Sequence, residues 1–168
     1  MRRIPRVFTT YAQDGAGWQD QVIDFACLLD RYVNVEGDFF HFTEPGMDWT
    51  RYGTSCIRRA DTVLVMSSPE YWARWEGRYP AHLGAGATRE TDALLGLFDR
   101  DRRAFQMKVV VITLPGQSDR IVPYELSRVQ QYRIAELTED GIEPLLRRLL
   151  NVPKYRKCAR KQLPALFR

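Results

Sequence analysis

Two rhythms of apolar residues alternate along the chain. Short, nearly unbroken runs occur at Val7-Phe8, at Val63-Leu64-Val65-Met66 and at Val109-Val110-Val111-Ile112. Strands covered on both faces of a parallel sheet read this way, because neither face meets water. Between the runs the rhythm is helical: Trp18, Val22, Phe25, Ala26 and Leu29 recur on one stripe, with polar Gln19, Asp20 and Asp24 off it. The first strand is expected over Arg6–Ala12 and is broken by the loop Gln13–Gly17, so the chain opens on a strand–helix unit. A second strand is expected over Tyr32–Phe42, interrupted at Glu36-Gly37-Asp38. The turn Pro45-Gly46 follows, with Asp48 placed to cap a helix from Trp49 to Ala60. After the central run, Ser67-Ser68-Pro69 ends the strand, and Glu70–Trp75 has room for a short helix.

The stretch Glu76–Gly86 is loop by its glycines and proline, and Thr88 is the expected N-cap of a helix reaching Arg103. A strand over Lys108–Leu114 comes next. Ile121–Leu126 is read as an edge strand, since Pro123 bars it from the sheet centre. Ile142, Leu145, Leu146 and Leu149 mark a last helix, closed by Asn151 and Pro153. This alternation predicts an α/β fold: a flavodoxin-like, doubly wound parallel sheet of about five strands with helices on both faces. Ligands of such sheets bind at the carboxyl ends of central strands, so function is sought there.

At 168 residues the chain is expected to hold one domain over 1–153 and a basic tail or linker over 154–168 that leads into further domains beyond Arg168. The net charge of +4 owes much to the two ends, Arg2, Arg3 and Arg6 at the front and Lys154, Arg156, Lys157, Arg160 and Lys161 at the back. Read as solvated termini, these imply neither a nucleic-acid nor a membrane partner. Cys27, Cys56 and Cys158 stand in no metal spacing, and two histidines, His41 and His82, offer little to a metal, so no metal site is expected. Unpaired thiols, no secretory leader and no long apolar span together predict a cytoplasmic protein.

Several stretches resemble the SEFIR domains, relatives of the TIR domains. Val7-Phe8-Thr9-Thr10-Tyr11 resembles the family's first-strand box, and Pro45-Gly46-Met47-Asp48-Trp49 its second-strand loop. Ile57-Arg58-Arg59-Ala60-Asp61-Thr62-Val63-Leu64-Val65 is similar to its helix-to-strand box. Ser67-Ser68-Pro69-Glu70-Tyr71 and the glycine loop Gly84-Ala85-Gly86 leading to Glu90 complete five boxes in the family's order, spanning about residues 6–150. The chain departs from TIR domains at Thr88-Arg89, where those carry a tryptophan–cysteine pair, and has Thr10 where serine is more usual.

Some members cleave NAD between nicotinamide and ribose when assembled, in antiphage or immune defence, and the resemblance implies that activity here, with NAD as substrate and no cofactor. Nicotinamide leaves from a ring that is already positive, so no acid must protonate it. A carboxylate beside the oxocarbenium-like transition state suffices. The resemblance gives that role to Glu90. If Thr88 caps the helix, Glu90 lies in its first turn, where the macrodipole favours the ionised form. Gly84, Gly86 and Ala87 would let a ligand approach the backbone. Tyr11 and Trp49 are candidates to stack a ring, and Thr10 and Asp14 to bond sugar or phosphate. Each also has a structural explanation: packing for the aromatics, a cap for Asp48, a turn for Asp14, the helix dipole alone for Glu90.

The alternative is a non-catalytic signalling adaptor that self-associates with other SEFIR or TIR domains, with Pro45 and Gly46 at the interface. Convergence of Thr10, Trp49 and Glu90 on one cleft separates the two readings. A receiver domain fits poorly, since Thr9-Thr10-Tyr11 and Ser67-Ser68 replace its acidic cluster and phosphoacceptor. Gly84-Ala85-Gly86 lacks the third glycine of a dinucleotide fingerprint.

Overall fold

The computed structural model describes residues 3–80, 85–118 and 122–159. Its centre is a five-stranded, wholly parallel sheet of strand order 2-1-3-4-5. The strands are β1 (Arg6–Thr10), β2 (Asn34–Glu36), β3 (Thr62–Met66), β4 (Val109–Thr113) and β5 (Gln130–Arg133). β1 pairs with β3 through Val7↔Thr62 to Thr10↔Val65, and β3 with β4 through Val63↔Val109 to Met66↔Ile112. The order reverses between β1 and β3, and in sheets of this order that switch point opens a crevice at the carboxyl ends.

Among the described residues six helices cover the sheet: α1 (Ala16–Asp30), α2 (Trp49–Arg59), α3 (Pro69–Trp75), α4 (Ala85–Arg100), α5 (Arg102–Lys108) and α6 (Glu139–Leu149). The apolar runs work as their pattern demands. Leu64, Met66, Val110 and Ile112 face α1 and α6, joining the full α1 stripe of Trp18, Val22, Phe25, Ala26 and Leu29. Their neighbours Val63, Val65, Val109 and Val111 face the opposite layer, with Cys56 and Ile57 of α2, Tyr71 and Trp72 of α3, Leu94 of α4 and Phe105 of α5. Each fully buried aliphatic side chain of this kind stabilises the fold by roughly 1.5–3 kcal/mol.

The structure departs from the pattern in several places. The second strand ends at Glu36 rather than running on to Phe42, and Asp38–Phe40 forms a 3-10 turn. A Cβ on Gly37 would lie 2.3 Å from the Phe39 ring, so glycine lets that ring fold back over the chain. The helix expected to start at a Thr88 cap is already formed at Ala85, which places Thr88 inside it. It stops at Arg100 instead of Arg103, because the Asp101 side chain accepts from Ala104 N at 2.9 Å and starts α5.

The edge strand is Gln130–Arg133, and Tyr124–Leu126, expected to be strand, forms a 3-10 turn. Ile121 lies outside the described residues, as do His82, Gly84 and tail positions 160–168. An edge strand keeps one side in water, so Gln130, Gln131 and Arg133 carry no apolar signature. Among the described residues no helix is long and apolar enough to cross a membrane.

Candidate active site

The carboxyl end of β1 opens into a cavity of about 490 Å³. Five elements or segments form it: Phe8, Thr9 and Tyr11 from β1 and its exit, Asp38 from the 3-10 turn, Phe42 from the loop, Trp49 and Tyr52 from α2, and Gly86, Ala87 and Glu90 from α4. Side chains alternate along a strand, so Thr10 points to the α2–α4 layer while Tyr11 points to the α1 layer. The cavity bridges the two.

Glu90 sits in the second turn of α4, and its environment reverses the charge state expected from a first-turn position. Its carboxyl is raised to about 8 in all: burial is the main cause, a hydrogen bond from Thr10 opposes it, and the charge of Asp38 adds to it. The Thr10 hydroxyl donates to Glu90 Oε2 at 2.5 Å and lies 3.1 Å from the hydroxyl of fully buried Tyr71. With the Thr10 proton committed to the carboxyl, Tyr71 is the donor to Thr10, and the three groups form one chain. The other side of the carboxyl rests on α2, where a Cβ on Gly53 would stand 2.3 Å from Glu90 Oε1. Thr10→Val is therefore expected to raise the Glu90 pKa further, measurable as an upward move of its carboxyl titration by NMR.

Asp38 is the second carboxyl in the cavity. Burial raises its pKa, opposed by hydrogen bonds from the Tyr11 hydroxyl and the Phe39 backbone. Tyr11 itself is held un-ionised, first by burial and then by the Asp38 charge. Gln13 Nε2 and Gln19 Nε2 lie 3.4 and 3.3 Å from the Tyr11 oxygen and donate to it, which turns its proton toward Asp38. Aromatic rings make the rest of the wall. Trp49 and Tyr52 meet edge-on with centroids 5.7 Å apart, and Phe42 tilts against Trp49 at 6.2 Å. Trp49 and Phe42 are 41% and 53% exposed, which puts them at the mouth.

Thr10, Tyr11, Trp49 and Glu90 are thus brought together, Thr10 from behind the wall. Asp14 lies in the loop before α1 and does not line the cavity. Pro45 and Gly46 are exposed on the loop outside it, where Gly46 adopts φ +75°. Asp48 directly precedes α2, its carboxylate 3.5 Å from Arg51 Nε. His41 shows no partner in the sequence, yet the fold gives it two: Nδ1 lies 2.6 Å from Glu44 and Nε2 3.1 Å from Glu36. Those bonds raise the His41 pKa and brace the loop beneath the mouth. Among the described residues no group of three potential ligands is placed to hold a metal.

No family model matches the sequence, and no curated protein matches it. Solved structures do. A prokaryotic SEFIR domain superposes with a TM-score of 0.64 at 20% identity, over 94% of this chain and 99% of that one. The fold is that of a SEFIR domain. The SEFIR domain of interleukin-17 receptor B aligns too, with a TM-score of 0.57 at 15% identity, over 89% of this chain and 96% of its own. Within this SEFIR fold the described parts of the five boxes fall on β1, on the loop leading into α2, on the α2–β3 junction, and on the starts of α3 and α4. Sequence reading missed Asp38, Tyr52, Gly53 and Tyr71 as parts of the site. One signal was present: a glycine inside a helix costs up to about 1 kcal/mol, and so points to a packing reason at Gly53.

Proposed function

We propose that this SEFIR-fold chain is an NAD glycohydrolase, with Glu90 stabilising the ribosyl cation as nicotinamide leaves. The observation that carries the reading is the make-up of the cavity. Two carboxyls and a wall of aromatic rings line it, and no lysine or arginine is among the described lining residues. Such a site favours a flat, cationic aromatic ring over an anion. A nicotinamide ring carries that charge and leaves as a neutral molecule. The diphosphate, which the acidic cavity would repel, stays at or beyond the mouth.

The raised pKa of Glu90 fits this chemistry. An empty site holds the carboxyl mostly protonated near neutrality. A cationic ring stabilises the ionised form, and that charge then faces the oxocarbenium ion as it develops. Because kcat/KM reports the free enzyme, it is expected to rise about tenfold per pH unit below pH 8 and level off above it.

The test is NAD loss by the purified chain at high concentration, beside Glu90→Ala. Nicotinamide release by the wild type, lost by 10²-fold or more in the variant, supports the enzyme, that being the usual order for removing one electrostatic stabiliser. Self-association without turnover in the wild type rejects it in favour of an adaptor. One feature favours that second reading: the apolar lip of Phe40, Phe42 and Trp49, each at least 40% exposed, beside the Pro45-Gly46 loop. A lip of this kind suits contact with another SEFIR or TIR domain. The two readings are compatible if assembly covers the mouth. A role in defence signalling is part of the same proposal.

A further inference from the structure

Resting on the glycohydrolase reading, we propose that Asp38 and Thr9 hold the attacking water, with Asp38 its general base. Hydrolysis needs more than departure of nicotinamide, since a water must be aimed at the ribosyl C1′ and must lose a proton. Glu90 is committed to Thr10 on one side and rests on Gly53 on the other. A different group has to take that proton.

Two buried polar atoms in the cavity wall have no hydrogen-bond partner among the described residues, Thr9 Oγ1 and Asp38 Oδ1. Thr9 is only 1% exposed, so its hydroxyl cannot turn to bulk solvent. Leaving such groups unpaired is costly, and bound water is the partner that buried polar groups in a cavity wall ordinarily take. The arrangement behind Asp38 is already built for a base. Tyr11 donates to the carboxyl, and Gln13 and Gln19 fix the direction in which Tyr11 donates. Asp38 Oδ1 is left as an open acceptor.

The step balances. The C1′–N bond breaks and its electron pair leaves with nicotinamide. The water oxygen bonds to C1′, and its proton passes to Asp38 and then to solvent. The products are ADP-ribose, nicotinamide and one proton. Asp38 thus acts only after the ribosyl cation has formed, whereas Glu90 acts before.

That difference supplies the experiment. When nicotinamide re-enters instead of water, NAD is re-formed and no proton need be removed. Labelled nicotinamide incorporated into NAD therefore reports the first half alone. With the full chain, Asp38→Asn is expected to slow hydrolysis by 10²-fold or more, the range of general-base catalysis. Label exchange loses only the share of ring binding that the Asp38 charge supplies, so the ratio of exchange to hydrolysis rises by about tenfold or more. Thr9→Val is expected to slow hydrolysis by about tenfold with label exchange within about threefold of wild type. Hydrolysis and exchange falling together in both variants, or neither falling, overturns the water site and leaves the glycohydrolase standing. A wild-type chain that neither hydrolyses nor exchanges overturns the glycohydrolase, and the water site falls with it.

Discussion

Glu90→Gln is expected to be more stable than the wild type at pH 9 by roughly 3–5 kcal/mol, and indistinguishable from it at pH 4. The carboxyl titrates near 4.5 when free and near 8 in the fold. Between those values the folded protein keeps a proton that the unfolded chain has released, so stability falls as pH rises through the window and flattens above it. A glutamine has nothing to ionise. It keeps the shape of the side chain, offers an oxygen to Thr10, and removes the cost of burying charge. Denaturant unfolding of both proteins at pH 4, 6, 8 and 9 measures the divergence. Because the difference between the two is read, other titrating groups such as His41 cancel in first order. Parallel curves would show that the carboxyl is not buried as described. The same substitution is expected to abolish nicotinamide release, which would make Glu90 a residue kept for chemistry at the expense of stability.

Gly53→Ala is the second large effect, and its sign differs between fold and function. An added methyl would stand 2.3 Å from Glu90 Oε1 and 2.6 Å from its Cγ. These atoms belong to a flexible side chain, so the carboxyl swings away and the helices need not part. Alanine in place of glycine inside a helix returns up to about 1 kcal/mol, which offsets the adjustment. The variant is therefore expected to melt within a few degrees of wild type while losing 10²-fold or more in kcat/KM, since a misplacement of an ångström at the reacting centre costs that much. Thermal unfolding and nicotinamide release, measured on the same preparation, check both halves. A large fall in melting temperature would mean that α2 and α4 cannot tolerate the methyl and that Glu90 is wedged in place.

The two substitutions probe one design from opposite sides. Gly53 and Thr10 together hold a carboxyl in a dry position, where water would have kept its pKa low. α2 supplies the surface without a side chain and β1 supplies the donor. Thr10→Val and Gly53→Ala should accordingly be non-additive, because both act through the position of Glu90.

The sequence by itself determined the layers and the edge of the sheet at which to look. Apolar runs such as Val63–Met66 and Val109–Ile112, short, β-branched and closed by turn residues, read as strands covered on both sides, with the α1 stripe facing them. These features are local and periodic, so they are legible without contacts. Glu90, Tyr11 and Trp49, which the sequence places at that edge, line the cavity. Tertiary structure alone decided the rest. The edge strand Gln130–Arg133 has no apolar pattern, and only pairing with β4 makes it a strand. Asp38 reads as part of a break within an expected strand, and the 3-10 turn Asp38–Phe40 puts it in the cavity wall. The charge state of Glu90 was read in the wrong direction from its place in a helix. Local sequence reports the dipole of one helix, whereas the pKa is set by what a different helix and strand, 37 and 80 residues away at Gly53 and Thr10, remove from water.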